Sequence, residues 1–598
     1  MIKLSDYVMN FVAAQGVKHV FMLTGGGCMH LVDSIGRNQD LEYVCCLHEQ
    51  ACAFAAEHYG DFTGNLGVAL VTSGPGGTNA ITGVAAAWLE SVSCLFLSGQ
   101  AKRADMIGSR GVRSMGQQEV DIVSVVSPIT KYAKTVLDPG SIRYELEKAV
   151  HLATHGRRGP VWIDLPLDVQ AAQIDETKLV GFVPEPEPAS GMPGKVSQAI
   201  DLLNGSSRPV LFLGNGARGA HSDGLLDRFI DALGVPVLAT WKAMDFLPES
   251  HSLYAGRPGA IGQRGANFTQ QNCDSMLILG ARLDLPQTAF NHRNFARAAT
   301  KIMVDIDATE IAKMDFPVDL AVCGDAREFM EEFLKQSSRL AQPDRNPWIA
   351  RTQEWRRKYP VMQPEYWDDT SGSVNTYTLV DVLSDELVAS DVIAPGSSGP
   401  ASDIVMQVLR IKPGQRVLNA PGLGAMGTGL PGSIGACLAS GRRRTICVNG
   451  DGGFQLNIQE LETVRRLNLP IKYFVLCNGG YGSITASQKN HFQSRFVGSD
   501  PSSGVTLPDI VRVAEAYGIR TAHICDHRDI RAKVRSVLES SGPVVCAVST
   551  DINLPTAPRA TSMVRPDGTI VSKPMEDLWP LLDREEFRSN MIIPVLEE

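Results

Sequence analysis

The chain contains 598 residues, of which 44% are hydrophobic and 20% are charged, and this balance excludes a largely disordered or fibrous protein. At roughly 150 residues per domain, the length predicts three or four domains. Lys and Arg number 56 against 65 Asp and Glu, and no stretch concentrates the basic residues. Binding to nucleic acid or to an anionic membrane surface is therefore not expected.

The N-terminal sequence and the cysteines indicate the cellular compartment. MIKLSDYVMNFVAAQG has the pattern of an amphipathic helix rather than of a signal peptide, and no apolar run reaches the roughly 20 residues that a membrane helix needs. The 12 cysteines show no C-x-x-C spacing, and several lie inside apolar runs, which favours free buried thiols. We expect a cytoplasmic protein with no membrane partner.

Short apolar runs alternate with helical stretches in three successive parts of the chain. Runs of this kind, separated by helices and ended by Gly or Ser, are typical of parallel strands covered on both faces. In the first part they are HVFMLTG, LGVALVTSG, SCLFLSGQ and GPVWIDLP. In the second they are RPVLFLGNG, PVLATWK, SMLILGARLD and KIMVDIDATE, and the alternation fades after AVCGDAREF near residue 328. In the third they are VIAPGSS, RTICVNGDGG, KYFVLCNGG and PVVCAVST. The predicted fold class is α/β, with three doubly wound parallel-sheet domains in series.

Two segments mark boundaries between these parts. Proline, glycine and acidic residues cluster in VPEPEPASGMPG at 183–194, and a polar, proline-containing connection spans 338–372. The C-terminal segment is irregular and proline-bearing, so we expect it to wrap over the surface or the mouth of an active site. The predicted units are domains at 1–182, 190–340 and 373–552 and a tail at 553–598.

The strongest local signal is the sequence GDG at 450–452, followed further along by Asn478. A predicted helix and strand separate them, so both loops are expected at the same edge of a parallel sheet. The Asp451 carboxylate, the Asn478 amide oxygen and a nearby backbone carbonyl are hard oxygen ligands suited to Mg²⁺, with positions left for a phosphate group and water. Taken alone, a GDG sequence is common in turns and is more often structural than functional.

Other segments support phosphate binding. GSS at 396–398 follows the run VIAP at the equivalent edge of the same domain, where hydroxyl and backbone N–H groups could hold diphosphate oxygens. Glu49 begins an alanine-rich helix, where it either caps the positive helix end or takes part in chemistry. Two Gly-rich turns, GPGGTNAITGVAAAW and GLGAMGTGLPGSIGA, open helices that permit close approach of a neighbouring helix or a ligand.

Together these segments resemble the thiamine diphosphate (ThDP) enzymes, and in particular the acetohydroxyacid synthase (acetolactate synthase) group. The resemblance covers nearly the whole chain in the family's order. The matching segments are LHEQACAFAAEHYG, TSGPGGTNAITGVAAAW, QQEVDIVSVVSPITK, GPVWIDLPLDVQ, GARLD, VDIDATEIAK, GLGAMGTGLPGSIGA and GDGGFQLNIQELETV. The family implies a pyrimidine-binding, a central and a diphosphate-binding domain, with active sites at the subunit interface of a homodimer or homotetramer.

The resemblance implies roles for the matching residues at the ThDP site. Glu49 is expected to hydrogen-bond to N1′ of the aminopyrimidine and to assist proton transfer there, and Gln118 is expected near the substrate. Met426 is expected to support the bent cofactor, with the Gly424 carbonyl accepting from its amino group. By residue type alone, core packing is the commoner interpretation of Met426, and the alternative for Gln118 is a polar surface position. The expected Mg²⁺ ligands are Asp451, Asn478 and the Gly480 carbonyl, and the expected diphosphate contacts are Gly396, Ser397, Ser398, Gly452 and Gly453.

The central domain resembles the flavin-binding part of the same family. A site of this kind needs a basic partner for the pyrophosphate and an acid for hydroxyl groups. No GxGxxG fingerprint is present. FAD is expected as a structural cofactor, since the reaction involves no net redox change, and the alternative is an empty or nucleotide-binding relic. The residues that match positions around the flavin are Arg157, Arg264, Gly265, Arg282 and Asp305.

At several positions the sequence differs from related ThDP enzymes, and these differences limit the range of reactions and substrates that we expect. The segment DMIGSRGVRSMGQQ contains no histidine, unlike the corresponding region of simple 2-keto acid decarboxylases. Gln117 stands where housekeeping acetohydroxyacid synthases have Phe, and Ser487 where they have Trp. Together with Gly27 and Cys28, these residues are expected to line the substrate pocket. The loss of two aromatic side chains would enlarge that pocket and make it more polar.

These observations predict a ThDP- and Mg²⁺-dependent carboligase. It would decarboxylate a 2-keto acid, with pyruvate as the expected donor, and transfer the two-carbon unit to a second carbonyl compound. The departures and the tail favour a bulky hydroxylated acceptor such as a keto-sugar nucleotide. The alternatives are a ThDP-dependent lyase or hydrolase of a diketone and a flavin-dependent pyruvate oxidase, whereas the retained Glu49, Asp451 and Asn478 argue against a non-catalytic scaffold.

Overall fold

Three six-stranded parallel sheets in series form most of the chain, which confirms the predicted fold class. The computed structural model describes residues 1–186, 191–341, 343–368, 372–564 and 569–596. Apolar clusters pack on the sheets, so the strands in the middle of each sheet are buried on both faces. Within the described ranges, no helix has both the length and the apolar character needed to cross a membrane.

The N-terminal sheet has a strand order that the C-terminal sheet repeats. Its helices are Leu4–Ala14, Met29–Arg37, Glu49–Thr63, Pro75–Glu90, Ile122–Val126, Ile142–Thr154 and Leu167–Gln170. Its strands, in spatial order, are Glu42–Cys45, His19–Met22, Gly67–Val71, Cys94–Gln100, Pro160–Pro166 and Tyr132–Thr135. A short antiparallel pair, Ile2–Lys3 with Gln173–Ile174, joins the two ends of this domain.

The central domain has a different strand order: counted along its own chain the order is 3-2-1-4-5-6, whereas in the N-terminal and C-terminal sheets it is 2-1-3-4-6-5. Its strands, in spatial order, are Tyr254–Gly256, Val237–Ala239, Pro209–Leu213, Ser275–Leu279, Thr300–Asp305 and Leu320–Cys323. Its helices are Met192–Asn204, Leu225–Leu233, Arg264–Asn272, Ala308–Ala312 and Ala326–Gln336. The first of these helices begins inside the predicted 183–194 linker, of which 187–190 lie outside the described residues.

The C-terminal domain closes the series. Its strands, in spatial order, are Arg416–Val417, Val392–Ile393, Thr445–Gly450, Ile471–Cys477, Val544–Ser549 and Arg520–Ile524. Its helices are Thr376–Glu386, Pro400–Val408, Gly429–Ala439, Asp451–Gln455, Leu461–Arg466, Gly482–His491, Ile510–Ala516 and Ile530–Glu539.

The connection and the tail both pack against the central domain. The connection contains the helix Asn346–Lys358, whose Trp348 and Trp355 join the central apolar core. The tail holds the antiparallel pair Ser562–Val564 with Ile570–Ser572 and the helix Arg584–Ser589. Tail residues therefore cover part of the central domain and border the large cavity described below.

The N-terminal and C-terminal domains share one apolar core. The helix Glu49–Thr63 packs between Pro75–Glu90 on one side and Gly429–Ala439 on the other. Gly83 belongs to Pro75–Glu90 and Gly435 to Gly429–Ala439. A side chain at either glycine would overlap the helix Glu49–Thr63. The two Gly-rich helices singled out in the sequence thus allow close helix packing in this chain.

A buried network of ion pairs joins the three domains. Lys242 of the central domain donates to Asp61 of the N-terminal domain at 2.9 Å and lies 3.3 Å from Glu90. Arg416 of the C-terminal domain reaches the same Asp61 at 3.0 Å and Asp245 at 2.7 Å. Burial raises the pKa of both aspartates, but the neighbouring cations outweigh it, holding the pKa of Asp61 well below its usual range and lowering that of Asp245 to about 2. The network helps to fix the relative positions of the domains.

Replacing Lys242 with Met is expected to reduce the free energy of unfolding by about 3–5 kcal/mol, because it leaves Asp61 and Glu90 buried without their cation. Lys178→Met is the matched control: the Lys178 side chain is 81% exposed and pairs with Asp175 at the surface, where a pair contributes at most about 1 kcal/mol. Urea unfolding followed by circular dichroism measures both variants. Equal unfolding midpoints would contradict the stabilising role of the network.

Candidate active site

In the N-terminal domain, Glu49 lies at the start of a helix that follows a strand. His48 caps this helix, its ring Nδ1 accepting from the Gln50 N–H at 3.0 Å. The Glu49 residue is only 7% exposed, and its Oε2 accepts from Asn79 Nδ2 at 3.0 Å. A neutral donor orients the carboxylate without cancelling its charge, which suits a group that accepts and returns a proton.

The loop after the strand His19–Met22 packs onto the turn that precedes the Gly-rich helix. The Gly27 N–H donates to Thr72 Oγ1 at 3.1 Å, and the Gly27 carbonyl accepts from Gln170 Nε2 at 2.7 Å. The next residue, Cys28, is fully buried in the apolar core, where burial raises the pKa of its thiol. The structure therefore places Gly27 at the sheet edge and the Cys28 side chain inside the domain.

Gln118 lies beside the same turn. Its φ of +59° is in the left-handed region, and a side chain at Gly74 would lie 2.5 Å from its carbonyl oxygen. The side chains of Gln117 and Gln118 are both exposed in this chain. Glu49, Gly27 and Gln118 thus border one edge of the N-terminal sheet, and Gln117 faces solvent next to them.

In the C-terminal domain, the loops after two neighbouring strands meet. Thr445–Gly450 and Ile471–Cys477 pair in parallel, and Asp451 and Asn478 follow them directly. Asp451 Oδ2 accepts from the backbone N–H of Asn478 at 3.0 Å and of Gly479 at 2.8 Å. Burial raises the pKa of Asp451, while these hydrogen bonds act in the opposite direction.

The donor set at this loop has the chemistry of a magnesium site. Asn478 Oδ1 accepts from the Gly480 N–H at 3.0 Å, so the amide oxygen is held against the backbone of the loop whose N–H groups contact Asp451. No cluster of three or more His, Cys, Asp or Glu that could hold a metal occurs within the described parts of the chain. A cation here would be held by one carboxylate together with amide and carbonyl oxygens, and these hard ligands fit Mg²⁺.

The turn at 396–398 follows a third strand at the same edge. The Ser397 hydroxyl is buried and has no hydrogen-bond partner among the described residues, whereas Ser398 is exposed. A side chain at Gly452 would lie 2.5 Å from the Tyr481 ring. The unpaired Ser397 hydroxyl is suited to donate a hydrogen bond to an oxygen of a diphosphate, and at Gly452 the backbone carries no side chain that would hold a diphosphate away.

Asn449 borders the same turn from the strand beneath it. Side chains at Gly396 and Gly453 would lie 2.5 Å and 3.0 Å from Asn449 Oδ1. The Asn449 Nδ2 group is buried and, like the Ser397 hydroxyl, lacks a hydrogen-bond partner in the described structure. Two unpaired polar groups at one turn indicate a site built for a polar ligand.

The loop that carries Met426 faces outwards. The Met426 side chain is 43% exposed, and Gly424 has a φ of +62°. Asn457 Nδ2 donates to the Gly427 carbonyl at 3.0 Å and to Gln50 Oε1 at 2.9 Å, which ties this loop to the start of the Glu49 helix. No hydrogen bond between described residues joins the Glu49 carboxylate itself to the metal or diphosphate loops.

A cavity of about 1750 Å³ extends from the central sheet to the C-terminal domain. Arg157, Arg282 and Asp305 line it near the central domain, and Ser397 and Ser487 line it near the C-terminal domain. Ser487 lies on the exposed face of the helix Gly482–His491. The cavity is large enough for a dinucleotide and is continuous with the diphosphate turn.

Arg157 and Arg282, which line this cavity near the central domain, already have protein partners. Arg157 pairs with Asp307 at 3.0 Å and with Glu310, and Arg282 donates to a backbone carbonyl of the N-terminal domain. Burial raises the pKa of Asp305. A pyrophosphate would compete with acids for Arg157, whereas ribose hydroxyl groups would find an acceptor in Asp305.

Arg264 and Gly265 do not line this cavity. The Arg264 guanidinium is buried and donates to the tail carbonyls of Leu578 at 3.1 Å and Pro580 at 2.5 Å. A side chain at Gly265 would overlap the backbone of Trp355. In this chain the two residues hold the tail and the connecting helix against the central domain.

Two amides of the site, Asn79 and Asn449, were not predicted from the sequence. Asn79 lies within TNAITG, where it is a lone amide in a helix of small residues, and Asn449 immediately precedes the GDG turn. Each stands next to a motif that the sequence analysis did single out. A polar side chain in an otherwise apolar, buried strand was the signal that could have identified Asn449, whereas Asn79 is exposed among small residues and carried no such signal.

Comparisons with known proteins give a consistent family. Models of thiamine pyrophosphate enzymes match the N-terminal TPP binding domain at 2–125, the central domain at 196–333 and the C-terminal TPP binding domain at 398–548. The acetolactate synthase large subunit of Pyropia yezoensis is 31% identical over 91% of this chain and 92% of its own length. The acetolactate synthase isozyme 3 large subunit of Escherichia coli (strain K12) is 31% identical over 90% of this chain and 92% of its own length. The acetolactate synthase of Arthrospira platensis is 31% identical over 89% of this chain and 91% of its own length. The chain therefore belongs to the acetolactate synthase large-subunit family of thiamine pyrophosphate enzymes.

Proposed function

We propose that this enzyme is a Mg²⁺-dependent carboligase that decarboxylates pyruvate and transfers the two-carbon unit to a second carbonyl compound. The observation that carries the proposal is the meeting of Asp451 and Asn478 beside the unpaired Ser397 hydroxyl. Purified protein supplied with ThDP, Mg²⁺ and labelled pyruvate, with and without carbonyl acceptors, tests it. Absence of acceptor-dependent product from pyruvate contradicts it.

Each residue would contribute in a way that follows from its position. ThDP, when bound, supplies the electron sink for loss of CO₂. Asp451, Asn478 and the Gly480 carbonyl would hold Mg²⁺ against the diphosphate, and Ser397 would donate to a diphosphate oxygen. Glu49, oriented by Asn79, would hold a proton at the pyrimidine N1′.

We propose that the active site forms between two copies of the chain. Glu49 makes no hydrogen bond to the metal loop within its own described structure, and the Met426 side chain is 43% exposed. Other large apolar side chains on the same two domains are exposed as well, including Met115 at 53% and Leu456 at 43%. A homodimer or homotetramer would cover these groups and supply Glu49 to the partner's diphosphate-binding domain.

We also propose a structural FAD in the large cavity. The cavity volume and the Asp305 carboxylate support the binding of a dinucleotide. Gly216 and Gly280 also line the cavity, and they pack so closely that neither position has room for a side chain. The absorption spectrum of the purified protein and of its acid-released supernatant tests this assignment. Bound flavin that pyruvate bleaches without oxygen would instead indicate a pyruvate oxidase, and a spectrum without flavin would indicate a relic site.

The acceptor is expected to be larger and more polar than pyruvate. Restoring bulk by Gln117→Phe with Ser487→Trp is expected to shift selectivity towards pyruvate, since a contact of this size contributes about 1–3 kcal/mol to discrimination. The physical reason is that Ser487 lines the cavity, and an indole there would narrow that end and make it less polar.

Product ratios from competition between pyruvate and a hydroxylated aldehyde measure this shift. Ser502→Trp is the control, because Ser502 is exposed in the same domain but does not line the cavity. An unchanged product ratio in the double variant, with normal ThDP binding, contradicts the enlarged pocket.

A further inference from the structure

Two oppositely charged side chains, Asp403 and Arg559, line the C-terminal end of the large cavity without forming an ion pair with each other in the described part of the chain. Asp403 lies in the first turn of the helix Pro400–Val408, just after the diphosphate turn, and Arg559 belongs to the tail. Neither the Asp403 carboxylate nor the Arg559 guanidinium has a hydrogen bond or ion pair in the described structure, although cavity residues elsewhere are paired.

The backbone around both side chains is well fixed. Arg559 and Trp579 exchange two backbone hydrogen bonds, at 2.9 Å and 2.7 Å. The Tyr377 hydroxyl donates to the Ala557 carbonyl at 2.9 Å, which anchors the chain two residues before Arg559. The Asp403 N–H donates to a turn carbonyl at 2.8 Å. Free charged groups on a fixed backbone are preorganised to bind a ligand.

The same end of the cavity contains hydroxyl groups from the helix Gly482–His491. Ser483 and Ser487 are one helical turn apart and both line the cavity. A side chain at Gly399 would lie 3.1 Å from the Ser483 hydroxyl, so this helix is adjacent to the turn before Asp403. The wall is therefore polar on the side where a second substrate would approach the diphosphate turn.

Burial raises the pKa of the Asp403 carboxyl to about 7, although the nearby charge of Arg559 acts to lower it. Near neutral pH the carboxyl can therefore donate as well as accept a hydrogen bond, which suits a hydroxyl group. Arg559 carries a permanent charge and offers several N–H donors to an oxyanion.

We propose that Asp403 and Arg559 bind the acceptor substrate, Arg559 holding an oxyanion and Asp403 a hydroxyl group. The acceptor is then an anionic, hydroxylated carbonyl compound, its anion being a carboxylate or a phosphate. This inference rests on the proposed carboligase function and specifies its second substrate. The two residues act on selectivity between acceptors rather than on loss of CO₂ from the donor.

The test compares matched acceptors with pyruvate as donor. Glycolaldehyde against acetaldehyde reports the hydroxyl preference. Glycolaldehyde phosphate against glycolaldehyde reports a preference for phosphate, and succinic semialdehyde against butyraldehyde reports a preference for carboxylate. For Arg559→Gln we expect the ratio of kcat/KM for anionic over neutral acceptors to fall roughly 10- to 100-fold in at least one of these two pairs, with the hydroxyl preference kept.

For Asp403→Ala we expect the reverse, a loss of the hydroxyl preference with the anion preference kept. Asp403→Asn, which still donates and accepts hydrogen bonds, should restore most of the hydroxyl preference. Arg588→Gln is the control for Arg559, because Arg588 is an exposed tail arginine that does not line the cavity. Unchanged preferences, or equal loss of both preferences in both variants, would overturn the proposal.

A separate measurement distinguishes this inference from the function on which it rests. CO₂ release from pyruvate, with the dye dichlorophenolindophenol as oxidant, reports the donor half of the reaction without an acceptor. The Arg559 and Asp403 variants should retain it. No CO₂ release from the unmodified enzyme would refute the proposed function, whereas normal CO₂ release with unchanged acceptor preferences would refute the acceptor site alone.

Discussion

Replacing Glu49 with Gln is expected to lower turnover roughly 10²- to 10⁴-fold while ThDP still binds, because the amide cannot take up the proton that the carboxylate would hold at the pyrimidine N1′. The change keeps the size of the side chain and its contact with Asn79, which donates to Glu49 Oε2 at 3.0 Å. The loss should therefore be one of chemistry rather than of folding or cofactor affinity.

Exchange of the cofactor's C2 proton, followed by NMR after acid quench, measures this step directly. Glu42→Gln is the control, since Glu42 lies at the edge of the same sheet with an exposed side chain. An exchange rate in Glu49→Gln equal to that of the unmodified enzyme would remove Glu49 from proton transfer.

Replacing Asp451 with Ala is expected to abolish Mg²⁺-dependent ThDP binding. The change removes the one carboxylate of the metal loop and leaves the diphosphate charge poorly compensated. It also removes the acceptor of the Asn478 and Gly479 N–H groups, at 3.0 Å and 2.8 Å, so the ligand loop loses its anchor. Calorimetric titration with ThDP and Mg²⁺ provides the measurement.

Asp551→Ala is the matched control for the metal loop, because Asp551 is an exposed carboxylate just after the neighbouring strand Val544–Ser549. Circular dichroism checks that both variants fold. If Asp451→Ala bound ThDP and Mg²⁺ with unchanged affinity, the GDG turn would be structural only.

The two inactive variants together test whether the site lies between subunits. When Glu49→Gln and Asp451→Ala chains are expressed together, half of the dimers are mixed, and each mixed dimer has one intact site of two, so about one quarter of the activity should return. Sites formed within a single chain would give none. Size-exclusion chromatography of the mixture confirms that the chains associate.

The strands in the middle of each sheet could be predicted from sequence, whereas most edge strands could not. A middle strand is buried on both faces and is therefore a continuous apolar run. An edge strand pairs on one side only, and in this chain the edge strands are short or partly polar, so they lack that signal. The edge strands not predicted are Glu42–Cys45, Tyr132–Thr135, Tyr254–Gly256, Arg416–Val417 and Arg520–Ile524.

The connecting helix was missed for a related reason. Asn346–Lys358 is polar on average, and only Trp348, Thr352 and Trp355 are buried. Their spacing of four and three residues forms a narrow apolar stripe that the surrounding charged residues obscure. Packing against the central domain, rather than composition, makes this segment a helix.

By itself, the sequence determined that Asp451 and Asn478 would meet, because residues that follow consecutive parallel strands are delivered to the same sheet edge. It could not determine that Arg264 contacts the tail at Leu578 and Pro580, or that Arg559 faces the same cavity as Asp403. Contacts between residues so far apart in the chain depend on how the domains and the tail pack together, and no local pattern encodes that packing. The tertiary structure alone decided which charged side chains are paired within the described part of the chain and which are not.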